Sequence, residues 1–367
     1  MTPPRVLRLE KRHFDTLDLT RMLAAVAVLF WHYQHFFVPD IVPYGFQVNR
    51  AGVEPLHRPF ALLYDHGHVA VQYFWAVSGF VFAHVYLADP HSRSRFWPAR
   101  IARLWPLHLL TLCIVALFQA GYLVRNGHYF IYAWNDARHF VLNLFLAQYW
   151  GFQQNQSFNG PAWSLSTEIV AYAAFWLLLP VLRRAPGTVA GLLAATTMTL
   201  VLAGAPNETV LSCIAYFFGG AGVYALALKD IATPARLVAA APGLALAAWA
   251  AWTFWRSEEL ATGAATFAVL ALAVAVDLAD TRRVMRFGKR LGDASYGIYL
   301  WHFPLQLLLV LAIPGVQAAA GRTGFLVFFI ACSIMAGFAS HALFERPAQR
   351  AVLRLFDRLR QRRAAAA

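Results

Sequence analysis

An all-α fold, a polytopic integral membrane bundle of about ten transmembrane helices, is what the sequence predicts, and three observations predict it. Only 13% of the 367 residues are charged while 59% are hydrophobic; a soluble domain carries about 25% charged residues. Apolar runs recur along the chain at about 20 residues each, the length needed to cross a hydrocarbon core of about 30 Å. The positive charges fall between those runs, the pattern by which membrane helices are oriented.

Taken in order, the runs predict spans at 17–37, 69–88, 105–124, 163–182, 187–204, 209–228, 237–255, 261–278, 295–313 and 323–343. An eleventh apolar stretch, 139–150, is too short to cross and is expected to lie in the interface or re-enter the bilayer. With the N-terminus cytoplasmic and the ten spans alternating, only Arg50, Arg58, Arg125, Arg138, Arg256 and Arg322 of the 31 Lys and Arg fall outside. Both termini are then cytoplasmic. Counting 139–150 as a span would turn Arg183–Arg184 and the 282–290 loop outward, against that bias. The run from Leu17 to Val38 is followed by no clear small-residue cleavage site, so it is expected to remain as a helix. Residues 1–347 form the membrane domain, and 348–367 a basic cytoplasmic tail. Pro347 is expected to end the tenth helix, with 344–363 an amphipathic helix on the inner leaflet.

The net charge of +13 is explained by topology, which removes the argument for a nucleic-acid partner. Cys113, Cys213 and Cys332 all lie inside apolar runs, with no spacing that suggests a zinc site or a disulfide framework. Aromatic residues reach 15%, which suits lipid-facing surface and interfacial belts. The longest outside segments, about 39–68 and 125–162, carry His57, His66, His68, Asn126, His128, Trp134, Asn155, Gln156 and Asn159. They suit a sugar-like acceptor and equally suit ordinary interfacial loops. The lack of an internal repeat weakens an inverted-repeat transporter.

Charged groups inside a membrane cost about 2.5–3.5 kcal/mol or more each at a helix centre, so each needs a reason. In DTLDLTRMLAAVAVLFWHY, Arg21 and His32 are eleven residues apart. That spacing returns to within about 20° of the same helical face, some 16 Å along the axis. Asp18 lies one turn before Arg21 and can pair with it. Neutral imidazole accepts and returns protons near physiological pH; a snorkelling arginine and an unrelated interfacial histidine would look the same. In RSRFWPARIARLWP, Arg100 and Arg103 face one way, and guanidinium forks suit phosphate; a plain positive-inside loop reads alike. In NGPAWSLSTEIVAY, Glu168 lies one to two turns into its helix, flanked by Ser164 and Ser166. It either orients an imidazole or an acceptor hydroxyl, or forms a structural ion pair. In GDASYGIYLWHFP, Tyr296, Tyr299 and His302 share a face, and His302 is catalytic support or a satisfied core histidine. Glu345 of FERP is expected to tie to arginines at the inner boundary. Ser78–Gly79 suits close helix packing.

These pieces in order resemble the acyltransferase-3 family of membrane O-acyltransferases: Asp18–xx–Arg21 with His32, FWAVSGFV at 74–81, Arg100–xx–Arg103–xx–Pro106, PAWSLSTE at 161–168, SYGIYLWH at 295–302 and FERP at 344–347. The resemblance runs from near residue 14 to near 347. It implies ten core helices in a bacterial inner (plasma) membrane and transfer of an acyl group, usually acetyl from acetyl-CoA or another acyl-CoA, without a metal. The acceptor is usually a hydroxyl of an extracytoplasmic glycan or glycolipid, sometimes of a small molecule. It implies an essential catalytic role for His32 and functional roles for Arg21, Arg100 and Arg103, extended to Glu168. Many similar proteins carry an added C-terminal esterase-like domain; this chain resembles the minimal form.

The mechanism expected is direct O-acyl transfer. Donor phosphates meet Arg100, Arg103 and Arg21, and the pantetheine arm reaches up the bundle to His32. His32, Glu168 and Arg21 form the catalytic set, with Trp163, Ser166, Tyr299 and His302 lining the acceptor site. A proton-coupled transporter using the same Arg, His and Glu, and a passive scaffold in a polysaccharide assembly, are the rival classes.

Overall fold

The computed structural model of the protein describes residues 13–37, 50–89, 92–153, 155–228, 233–280 and 287–366. The basic positions Arg5, Arg8, Lys11, Arg12, Lys229, Arg282, Arg283 and Arg286 lie outside the described residues, as do 38–49 of the first outside loop. Among the described residues every regular element is helical. The principal helices are α1 (Asp15–His32), α2 (His57–His66), α3 (Ala70–Tyr86), α4 (Phe96–Asn126), α5 (Ala137–Leu144), α6 (Trp163–Arg184) and α7 (Pro186–Leu202). They continue with α8 (Glu208–Leu228), α9 (Pro234–Thr253), α10 (Glu258–Ala279), α11 (Gly288–Ala312), α12 (Thr323–Ser340) and α13 (Arg346–Ala366).

Eight helical stretches among the described residues are long and apolar enough to cross a membrane. The two other predicted spans are helices too, but differ in kind. α1 has 18 residues and holds Asp15, Asp18 and Arg21; α7 has 17 residues. At 1.5 Å per residue each is about 26 Å long, a little under the hydrocarbon thickness. The 139–150 stretch yields only the eight-residue α5, about 12 Å, so it does not span. It folds back instead: Trp150 Nε1 donates to Ser166 O (2.9 Å), and Gln148 Nε2 to Ala162 O (3.2 Å).

Two expected boundaries move. α4 starts at Phe96, nine residues before the predicted span, and carries Pro106 in its interior, so the Arg100–Arg103 pair stands on the helix itself. Pro347 does not end the tenth helix. A π turn over His341–Glu345, in which the Arg346 N–H reaches back to His341 O, joins α12 to α13 in one helical stretch, Thr323–Arg362, of 40 residues. A proline ring in an α-helix strikes the carbonyl four residues back, here that of Leu343. The wider turn gives that ring room, and the helix passes through.

The chain divides into two compact units. The first gathers the start of α1, α3, most of α6 and α7–α10. Its seam is α3 on α8, where glycines bring the two backbones into contact: a Cβ on Gly79 would strike the Phe217 carbonyl, and one on Gly220 the Ala76 carbonyl. This bears out a packing role for Gly79. The Asp277 carboxylate accepts from the backbone N–H of Thr16 (2.8 Å) and Leu17 (3.1 Å), meeting amides that the first turn of α1 leaves open.

The second unit gathers the end of α1, α2, α4, α5, α11 from Ala294, α12 and α13. Leu112 and Val115 of α4 pack with Phe303 and Leu307 of α11 and with Phe130, Tyr132 and Phe158 from the connecting segment. α13 packs on α4, with Arg350, Arg354, Arg358, Arg360 and Arg362 exposed.

Candidate active site

His32 is the last residue of α1 and is 9% exposed. Its Nδ1 lies 3.0 Å from Val28 O. A carbonyl only accepts, so Nδ1 carries the proton and Nε2 keeps the lone pair. Two further imidazoles flank it: the His35 ring at 5.1 Å and the His302 ring at 4.9 Å between centroids. His302 is fully buried, and its Nδ1 donates to Tyr299 O at 2.6 Å. Its Nε2 is buried with no hydrogen-bond partner. The Nδ1 of His35 donates to Gln306 Oε1 at 3.1 Å, while Gln306 Nε2 donates to His32 O at 2.9 Å. The same tautomer is thus imposed on all three rings, each leaving a basic Nε2.

Beside this cluster in the second unit, the Tyr299 hydroxyl donates to Pro161 O (2.7 Å) and lies 2.9 Å from Ser164 Oγ. Trp163 opens α6, its ring 5.5 Å from Tyr149. Ser166 Oγ is fully buried and accepts from the Tyr149 N–H at 3.0 Å, so this hydroxyl holds the loop after α5.

The two arginine motifs part company. Arg21 pairs locally with Asp18 at 3.0 Å, as the spacing predicts, with side chains 27% and 17% exposed. Arg103 instead reaches across the sequence to Glu345 at 3.2 Å, and that carboxylate is 1% exposed. The Arg103 guanidinium also lies over the Tyr296 ring at 5.2 Å, and Tyr296 donates to Leu104 O at 2.7 Å. Ser340 Oγ adds a bond to Glu345 at 3.2 Å. Arg100 stands one turn earlier on α4, half-buried. Glu168 lies in the first unit on α6 and is 8% exposed.

Residues 14–341 match the family model for an acyltransferase domain. The chain belongs to the acyltransferase 3 family. Its apolar helices accord with a multi-pass membrane protein of that family. It is similar to acyltransferase MdmB of Streptomyces mycarofaciens, 33% identical over 190 residues, which cover 50% of this chain and 42% of MdmB. It is also similar to BcsY of Komagataeibacter xylinus, a protein proposed to be a membrane-bound transacylase, 27% identical over 311 residues and 76% of each chain. The chain thus spans less than half the length of one of these curated relatives. No solved structure gives a significant match.

In this family member, the second unit brings His32 to His302, Tyr299 to Ser164, and Arg103 to Glu345. The sequence analysis missed His35 and Gln306. A signal existed: His35 follows His32 by three residues, and Gln306 follows His302 by four, one turn on in each case.

Proposed function

We propose that the protein transfers an acyl group, acetyl by default, from acyl-CoA to a hydroxyl of an extracytoplasmic glycan, glycolipid or small hydroxylated molecule. His32 is the general base. The observation that carries this is the His32 ring, fixed through Nδ1 to Val28 O and left with a free Nε2 lone pair inside a buried imidazole cluster. A neutral imidazole so held is a ready proton acceptor.

In the reaction, the acceptor O–H bond breaks and its proton goes to His32 Nε2. The oxygen forms a bond to the acyl carbon as the C–S bond breaks, and the proton returns to the departing thiolate. Arg21 and Arg100 bind the donor phosphates from the cytoplasmic side, where guanidinium forks suit them. Arg103 shapes that surface while bound to Glu345. His302, Tyr299, Trp163 and Ser166 form the surroundings of the acceptor. Glu168 is assigned an assisting role in the reaction. The setting is a bacterial plasma membrane, with ten spans and both termini cytoplasmic. The membership in an acyltransferase family and the polarised charge distribution of the sequence support this reading.

The test is His32→Ala in membranes supplied with labelled acetyl-CoA. CoA release and label on the acceptor should fall by about 10²–10⁴-fold, the usual worth of general-base catalysis, with insertion into the membrane unchanged. Wild-type rates in that variant would remove His32 from the mechanism, and solute movement without CoA release would point to transport.

A further inference from the structure

Where an α-helix ends, its last carbonyls lose their α-helical amide partners, and α1 passes directly into a 3₁₀ turn over Tyr33–Phe37. At the end of α1 three consecutive carbonyls, of Phe30, Trp31 and His32, are met by side chains. Arg50 Nη2 donates to Phe30 O (3.3 Å) and Trp31 O (3.1 Å). Gln306 Nε2 donates to His32 O (2.9 Å). Gln34 Nε2 adds a second bond to Trp31 O (3.0 Å).

Both distant donors are themselves immobilised. The Nε of Arg50 donates to both oxygens of Glu54, at 3.1 and 3.0 Å, and that carboxylate is 0% exposed. The Arg50 guanidinium lies 4.9 Å from the centre of the Trp31 ring and 5.8 Å from that of Tyr64. The Tyr64 hydroxyl is anchored on Pro55 O at 2.9 Å. Gln306 is fully buried, with its other end on His35 Nδ1. A planar fork with separate donors on Nε and Nη2 can face a carboxylate and two carbonyls at once; an ammonium cannot reproduce that geometry. A cation at a helix C-terminus also complements the helix dipole. Arg50 is one of only six Lys or Arg that the charge bias leaves outside, and this local task accounts for the exception.

We propose that Arg50, locked by Glu54, and Gln306 are positioning residues for His32: together they clamp the last turn of α1 and so hold the imidazole on its aim. The clamp rests on His32 being the base assigned above. Displacing a catalytic group by about 1 Å can cost on the order of 100-fold in rate, so a slackened turn acts on catalysis without touching substrate.

The experiment uses the full chain in lipid nanodiscs, with Arg50→Lys, Glu54→Gln and Gln306→Met beside wild type and His32→Ala. Two readouts are taken on the folded, monodisperse fraction: CoA release from labelled acetyl-CoA, and ¹⁵N NMR of histidine-labelled protein, where the signal missing from His32→Ala identifies that ring. Wild type should show one Nδ1–H tautomer for His32. The clamp variants should show mixed tautomers, with kcat lowered about 10- to 100-fold and the donor KM within about twofold, as expected when only the transition state is affected. An unchanged His32 signal with unchanged kcat per folded molecule overturns the clamp, and so does loss of yield alone. Should one variant fail to fold, the other two decide. Should wild type release no CoA, the acyl-transfer reading falls, and the His32 signal alone upholds or overturns the clamp.

Discussion

Arg21 and Arg103 are alike in the sequence, each a cation beside the end of an apolar run, yet the protein uses them differently. Arg21 is answered three residues away by Asp18, and both side chains are partly exposed. Arg103 is answered 242 residues away by Glu345, whose carboxylate is almost fully enclosed. The first pair is weakly held, because exposed ion pairs contribute about 0–1 kcal/mol. The second is expensive to break, because removing one partner strands a buried charge. The two arginine side chains are about equally open, 27% and 24% exposed, so the carboxylates make the difference: a cation on a partly open local partner is available to a ligand, and one that neutralises a buried carboxylate is part of the frame.

Arg103→Ala is the severest way to break this contrast. It should lower the stability of the detergent-solubilised protein by about 3–5 kcal/mol, read as a fall in thermal midpoint, and the double variant Arg103→Met with Glu345→Leu should regain most of it. A single variant that melts with wild type would show the pair to be incidental. Gly297→Ala probes the same carboxylate from α11. Its new Cβ would lie 2.9 Å from both Glu345 Oε1 and the Gly337 carbonyl. The second is backbone and yields little, so a loss of about 1–3 kcal/mol is expected; no loss would mean that the α11–α12 seam is slack. Arg21→Ala should cost less than about 1 kcal/mol but weaken donor binding, measured by titration with a non-hydrolysable acyl-CoA, by about tenfold. If it instead melts as early as Arg103→Ala, the distinction between the two arginines fails.

Smallest of all is the change at Asp136, whose carboxylate caps α5 by accepting from the His139 N–H at 3.0 Å. That bond, with the His139 ring, holds its pKa below the ordinary carboxylate value. A lowered pKa stabilises the folded form above the unfolded value, and that contribution is lost as pH falls through the folded one. Asp136→Ala should therefore cost about 0.5 kcal/mol near neutral pH and progressively less in acid. A loss that grows on acidification would contradict the cap.

What could be read in advance follows from the range of each interaction. Hydrophobic length located a helix for every one of the ten predicted runs, since in lipid the backbone must satisfy itself within the segment. Local spacing found Asp18–Arg21 and grouped Tyr296, Tyr299 and His302. The expectation that Glu345 ties to an arginine holds, but spacing did not single out Arg103, nor find Gln306–His32 or Arg50 on the end of α1, because each joins residues that no helical period relates. Pro347 misled for a different reason: a proline stops an α-helix, but the turn before it is not α-helical. The family motifs marked His32 and His302 separately; their approach to 4.9 Å depends on how α1 and α11 pack.

The wide turn at His341–Glu345 has one more consequence. An inserted residue changes the angular phase of everything downstream by about 100°. The direction faced by the arginines of α13 is therefore set by a single extra residue rather than by their own spacing. Deleting one residue in that turn would leave the rod almost as long, yet rotate its cationic stripe by more than a quarter of a circle.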